Sequence, residues 1–295
     1  MREYQISKMK DFSNAEIERV RTLEQICRTN DRSGLRVGVE SLKAIGGDEA
    51  YLCFFNNKLI GFISWYTSDG TEANMNGMVH PDFRRQGVFN ALLKRAMSEM
   101  QTKLIESCRF RVPSNSESGL EFIKNLGASF RTSEFSMNLK QLKEDMLKGT
   151  DIMLRLAEEP DLGFMVTCSS QAFGDSESWT RSYFARTKEP ERMSYIASDS
   201  LTPIGMIRVN YLNRDTAVIH DLCVLPSQQD KGFGRKILVG AVQLILEQKC
   251  SIIRLAVVTS NRRALNLYQS IGFEVASEFN YYVTSMQALK NNLKH

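Results

Sequence analysis

The sequence predicts an α/β protein built from two tandem copies of one domain. Three observations carry this. Apolar strand-like runs alternate with amphipathic helical runs along the chain, the pattern of helices packed on a sheet. One spacing relates the two halves: Gly87 and Gly232, Val79 and Val224, and Leu126-Gly127 and Ile271-Gly272 each lie 145 residues apart. Residues 218–238 read as an apolar strand broken at Pro226, then a glycine loop, then a helix; residues 79–93 are a looser version of the same unit.

The elements follow in order. In the first copy, 14–27 is helical. Strands 51–55 and 59–66 form a hairpin about the polar turn Asn56-Asn57-Lys58. A short strand ends at Met78-Val79, and helix 87–101 buries Leu92, Leu93, Ala96, Met97 and Met100. Strand 104–112, helix 116–126 and strand 129–139 complete the copy, and 140–148 is a charged helical connector. The second copy opens with strand 151–156 and helices 158–172 and 176–188. Strands 192–198, 204–211 and 216–224 follow, with Pro203-Ile-Gly-Met-Ile207 matching Leu59-Ile-Gly-Phe-Ile63 at a spacing of 144. Helix 233–248 repeats Ile237, Leu238, Ala241, Val242 and Ile245 on one face. Strand 251–258, helix 262–271 and strand 279–286 close the chain. The domains are placed at 1–145 and 150–295.

Composition narrows the function classes. At 295 residues the chain has room for two ordinary domains. Its 42% hydrophobic and 24% charged residues are those of a soluble globular protein. A net charge of +4 is too mild, and the basic residues too dispersed, for a nucleic-acid partner. No apolar run approaches the roughly 20 residues that span a bilayer, and the N-terminus lacks a signal peptide's apolar core. Cysteines at 27, 53, 108, 168, 223 and 250 include no Cys-x-x-Cys pair and read as reduced thiols. The expectation is a cytoplasmic monomer or homodimer. Histidine occurs only at 80, 220 and 295, so no metal site is expected.

The chemistry concentrates in the loop Gln229-Asp-Lys-Gly-Phe-Gly234. A strand, a glycine loop and a helix N-terminus form an anion site, because first-turn N–H groups and the positive end of the helix dipole face whatever lies in front. Gly232 and Gly234 let the backbone approach a phosphate, and Lys231 and Arg235 add charge. Downstream, after strand 252–258, comes Asn261-Arg-Arg-Ala-Leu-Asn-Leu-Tyr-Gln-Ser-Ile-Gly-Phe273.

Together the two stretches resemble the signature motifs of the GNAT superfamily of N-acetyltransferases. One is Gln/Arg-x-x-Gly-x-Gly/Ala after a strand, matched by Gln229, Gly232 and Gly234. The other is Asn-x-x-Ala-x-x-x-Tyr-x-x-x-Gly-Phe on the next helix, matched by Asn261, Ala264, Tyr268, Gly272 and Phe273. The resemblance implies two GNAT-like domains, each a mixed twisted sheet flanked by helices, with central strands that splay to admit a pantetheine arm.

It also implies an acetyl-CoA-dependent N-acetyltransferase working in the second copy, where the motif residues are complete. The acidic, aromatic loop 174–179 of that copy, with no peptide groove evident, points to a small-molecule amine as acceptor. The pyrophosphate would rest on the amides from Asp230 through Arg235, including Lys231 and Phe233, and Leu222, Cys223 and Val224 would pair with the pantetheine. An amide near Cys223 or Val224 would steady the oxyanion. Tyr268 would protonate the leaving thiolate. His220 is the candidate base, sharing a strand face with Leu222 and opposite Asp221 unless a bulge intervenes. Asn261 caps its helix and would lie near the cofactor. Asp175, Glu177 and Trp179, in the loop between the two helices, are candidates for holding the ammonium group.

The first copy departs from the pattern. Tyr268 corresponds there to Ile123, Asn261 to Ser116, His220 to Met75 and Gly234 to Phe89. Arg84, Arg85, Gln86 and Gly87 keep parts of a phosphate site, so a second, unproductive CoA site is possible. Phe89 either turns into the core or crowds the phosphate. The alternative for the whole chain is a non-catalytic acyl-CoA-binding or regulatory protein.

Overall fold

A computed structural model describes residues 4–9, 14–38, 49–67, 69–142 and 151–293. Its elements run β1 (Gln5–Lys8), α1 (Asn14–Asp31), β2 (Glu49–Phe55), β3 (Lys58–Tyr66), β4 (Glu72–Val79), α2 (Val88–Thr102), β5 (Ser107–Pro113), α3 (Glu117–Leu126) and β6 (Ser129–Leu139). They continue with β7 (Ile152–Leu156), α4 (Leu162–Phe173), α5 (Glu177–Arg186), β8 (Arg192–Asp199), β9 (Thr202–Tyr211), β10 (Thr216–Val224), α6 (Phe233–Glu247), β11 (Ile252–Val258), α7 (Arg262–Ile271), β12 (Phe273–Ser285) and α8 (Met286–Asn292). Short β1 and one-turn-longer α8 escape sequence periodicity because each is too brief to display a repeat. Most of the expected connector, from residue 143 on, lies outside the described residues.

The chain forms two compact units, Met1–Glu134 with Ser277–His295, and Phe135–Ala276. In the first, the strand order is β1-β2-β3-β4-β5-β12. All neighbours are antiparallel except β4 and β5. The turn between β2 and β3 places Asn56 and Asn57 at φ 47° and 63°, the left-handed pair that a tight hairpin needs and asparagine tolerates. One face of the sheet is covered by α2, α3 and α8 around Leu92, Leu93 and Leu289, the other by α1 around Val20 and Leu23. Residues 277–285 of the last strand belong to this unit, where Phe279 to Ser285 pair with Pro113 to Ser107. Sequence periodicity records which segments are copies; strand pairing records which edge each segment fills, and the two differ here.

In the second unit the order is β6-β11-β10-β9-β8-β7. The face of α6 expected from the sequence is buried, with Ile237, Leu238, Val242 and Ile245 fully covered. Each such side chain contributes on the order of 1.5–3 kcal/mol. Helices α6 and α7 cover one face and α4 and α5 the other. Gly205 of β9 must lack a side chain, because a Cβ there would meet Cys223 O at 2.5 Å and Ile237 Cδ1 at 2.9 Å.

Candidate functional site

Both units contain the same opening. In the second, β10 and β11 run parallel but pair only from Thr216↔Ile252 to Val218↔Arg254. Beyond that point β10 continues to Val224 without a β11 partner. In the first, β4 and β5 pair from Glu72↔Ser107 to Met75↔Phe110 and then part. Backbone donors and acceptors released in this way need a ligand or solvent to satisfy them.

The loop at the end of each opening has one backbone conformation. Pro226–Gln228 and Pro81–Phe83 form 3₁₀ turns. Asp230 and Arg85 follow at φ 64° and 58°, and Gly232 and Gly87 both take φ 80°, ψ 0° as N-caps of α6 and α2. Space in front is open in both, since a Cβ at either glycine would meet nothing within 4 Å. This is a cradle of amides at a helix N-terminus, suited to a pyrophosphate. The Arg235 amide already donates to Gly232 O at 3.1 Å, which leaves the preceding amides for an anion. Gln229 anchors the loop by donating to Val224 O at 3.1 Å. Lys231 reaches Gln228 and the Asp230 carboxylate pairs with Arg263, both on the surface.

Between His220 and Cys223 the pairing of β10 with β9 shifts: Asp221 and Leu222 stand opposite Ile207 alone. This is a β-bulge, with Asp221 at φ 48°. It overturns strict alternation. His220 lies opposite Arg208, Asp221 turns to that same side, and Leu222 packs into the core beneath α6. Asp221 accepts from Arg208 Nη1 at 3.1 Å and from the Tyr183 hydroxyl at 3.1 Å. Arg208 is only 2% exposed and also donates to Thr187 Oγ1 and Thr187 O at the end of α5. Burial, with the Asp221 carboxylate, pushes the Tyr183 phenol up to about 12. Burial pushes the His220 imidazole down to about 4; Arg192 and Arg208 add to this while Asp221 and Glu189 oppose it.

Tyr268 sits on α7, partly buried against the core, its ring 6.3 Å from that of Phe273. Burial raises its phenol, so it stays protonated at neutral pH. Asn261 caps α7, accepting from Ala264 N–H at 3.0 Å, as Ser116 caps α3. The Cys168 thiol 3.6 Å away, together with burial, pushes the Cys223 thiol well up, so its sulfur is no nucleophile.

On α5, Trp179 stacks on Tyr183 at 5.3 Å with rings 7° from parallel and stays 41% exposed. Glu177 accepts from Thr167 on α4, and Asp175 is exposed ahead of the Ser176 cap. Sequence reasoning passed over Tyr183 and Arg208 and ranked Asp221 low. The signals were an aromatic pair at i, i+4 and a single charge inside an otherwise uncharged, largely apolar strand.

In the first unit a cleft of about 820 Å³ occupies the opening, lined by Arg84, Arg85, Gly87, Phe89 and Phe110 among others. Arg84 faces α1, bonded twice to Asp31 at 2.6 and 2.8 Å. Burial alone would raise the Asp31 carboxyl, but the guanidinium holds it below its ordinary value. Arg85 pairs with Glu121, and Gln86 donates to Asp82 O. Phe89 turns inward onto Gly77 and Phe122, leaving the loop open. Among the described residues, no cluster of His, Cys, Asp and Glu could hold a metal ion, and no helix is long and apolar enough to cross a membrane.

The profile of the acetyltransferase (GNAT) family matches residues 17–127 and 158–273. The fold is similar to that of a GCN5-related N-acetyltransferase from Sphaerobacter thermophilus, at TM-score 0.74 and 16% identity over 95% of this chain and 96% of that one. It is also similar to a tandem GNAT protein from the clavulanic acid biosynthesis pathway, at TM-score 0.72 and 14% identity over 96% and 99%. In sequence, 60 residues are 35% identical to thialysine N-epsilon-acetyltransferase of Bos taurus, covering 20% of this chain. The match spans 35% of that relative's length.

Proposed function

Because the chain belongs to the acetyltransferase (GNAT) family, in tandem two-domain form, we propose that it moves an acetyl group from acetyl-CoA to a primary amine, and that its second unit does the work. One observation supports this assignment: among the described residues, the cradle of α6, the phenol Tyr268 packed on the same core, and a polar bulge bearing His220 and Asp221 occur together in the second unit. The first unit has Ile123 and Met75 at the corresponding positions.

The donor substrate fits this opening: amides of 230–234 hold the pyrophosphate, and the unpaired stretch of β10 offers its backbone to the pantetheine. The amine nitrogen attacks the thioester carbon, the C–S bond breaks, and the thiolate takes a proton from Tyr268. The N–H proton shed as the amide forms is released to water, from which the Tyr268 phenolate recovers its own. An amide near Cys223 or Val224 steadies the oxygen as charge develops. The ammonium must first lose its proton. For a lysine-like amine this costs about 4.6 kcal/mol at pH 7. An imidazole that titrates near 4 cannot hold that proton, so His220 serves as a relay that stays neutral and passes the proton to water. A small-molecule acceptor is favoured by the thialysine-acetylating relatives and by the exposed Trp179, four residues along the chain from the exposed Asp175.

A second possibility rests on the 820 Å³ cleft of the first unit, whose loop shares the cradle's backbone. There the chain would hold an acyl-CoA without turning it over. Calorimetry with CoA on the native chain, Gly232→Glu and Gly87→Glu tests both. Loss of binding and turnover in Gly232→Glu alone supports the proposal; loss of both in Gly87→Glu alone reverses the assignment of the working unit.

A further inference from the structure

The bulge in β10 has no counterpart in the first unit. There β3 and β4 pair without a shift from Gly61↔Val79 through Ser64↔Asn76 to Tyr66↔Asn74. At the spacings of 144 and 145, Ser64 and Asn76 correspond to Arg208 and Asp221. The register is regular where Ser64 and Asn76 stand opposite each other, and shifted where the corresponding residues are Arg208 and Asp221, which leaves His220 opposite Arg208. A non-glycine residue in the left-handed region costs on the order of 1 kcal/mol and persists only when its surroundings hold it there. Asp221 is held by two side chains from two elements: Arg208 Nη1 on β9 and the Tyr183 hydroxyl on α5. Arg208 is held in turn by Thr187 Oγ1 and the carbonyl that ends α5, a favourable seat for a cation at a helix C-terminus. Its guanidinium also lies 5.0 Å from the Phe184 ring and 5.5 Å from that of Tyr183.

From this geometry we infer that Arg208 is a positioning residue for acetyl transfer: by clamping Asp221 to the end of α5 it maintains the bulge that sets which way His220 and residues 222–224 face. This rests on the proposal that the thioester lies along β10. The physical reason is register. A bulge absorbs one residue; without it, the pairing beyond Asp221 slips by one and the side chains and amides of Leu222, Cys223 and Val224 exchange faces. Arg208 touches neither substrate, so its effect falls on the chemical step. Because residues 222–224 also face the pantetheine, the slip weakens acetyl-CoA binding as well, so the chemical step is read as kcat at saturating acetyl-CoA.

The test uses the full-length chain, acetyl-CoA, and the primary amine of a panel including thialysine that the native chain acetylates fastest. Arg208→Met strands the Asp221 carboxylate and lowers stability, as removal of one partner of a buried pair does. The informative variant is Arg208→Met with Asp221→Asn, which removes both charges. Expected are a melting temperature recovered relative to Arg208→Met and a kcat, measured at saturating acetyl-CoA, still lowered about tenfold or more. Arg208→Lys, which keeps the charge but cannot bond Thr187 and Asp221 together, loses part of the melting temperature and lowers kcat several-fold. If kcat recovers along with stability in the double variant, or is unchanged in Arg208→Lys, the clamp is structural only and the inference is overturned. Failure of the underlying proposal looks different: Gly232→Glu would then leave acetyl-CoA binding and turnover intact.

Discussion

The ring of Phe89 lies on Gly77, so close that a Cβ at Gly77 would meet its Cε2 at 2.6 Å. One repeat later the sizes are exchanged: Gly234 stands for Phe89 and Leu222 for Gly77. In the first unit the helix fills this position with the Phe89 ring; in the second, Leu222 of the strand packs into the core instead. At Gly234 a Cβ would meet only Leu267 Cδ2 at 3.6 Å and Val224 Cγ2 at 4.0 Å, ordinary contact rather than a clash.

This relationship predicts the effect of Gly77→Ala. The new methyl also meets Phe62 O at 3.0 Å, so neither neighbour can yield freely. The substitution lowers stability by about 1–3 kcal/mol. Adding Phe89→Leu recovers part of the loss. Urea denaturation of the two variants measures both values, and equal midpoints for native and Gly77→Ala would contradict the packing described.

Tyr268→Phe removes the proposed acid and little else, since the phenol's ring packs on the core as phenylalanine would. Turnover falls about 10²-fold or more, the usual contribution of a placed acid. Acetyl-CoA affinity by calorimetry stays within about twofold. Unchanged turnover removes Tyr268 from the chemistry.

His220 links stability to pH. Its folded value near 4 lies below its ordinary 6.5, so between those limits the unfolded chain binds more protons. Stability is then full above pH 6.5 and declines as pH falls towards 4. His220→Asn flattens this slope in urea midpoints measured across the range; His80, also lowered, supplies the part that remains. In kinetics, His220→Ala costs most turnover at low pH, where free amine is scarcest, and a loss independent of pH would assign the residue to packing.

Removing residues 277–295 strips the partner from β5 and takes Met286 and Leu289 out of the first unit's core. The truncated chain exposes the β5 edge and loses hydrogen-exchange protection at Cys108, Phe110 and Val112, with aggregation the expected consequence of an unpaired edge. Native-like protection there would show that this strand is dispensable.

Much was legible in the sequence because it is written in local patterns. The apolar face of α6, the Asn56-Asn57 turn and the strand–loop–helix at 224–238 each depend on residues close together, and each folded as the pattern predicts; the repeat at 145 shows because it copies such local patterns. The loop's left-handed residues at 85, 87, 230 and 232 share one conformation because proline and glycine fix it locally. What the sequence left undecided depends on partners far away in the chain. Phe89 turned inward because Gly77 and Phe122 leave room for its ring. Asp221 joined the His220 face because Arg208 and Tyr183, contributed by β9 and α5, hold it in a conformation that alternation does not include. Residues 277–285 joined the first unit because β5 offers an edge whose hydrogen bonds must be met, and nothing in a strand's own pattern says which edge it will fill.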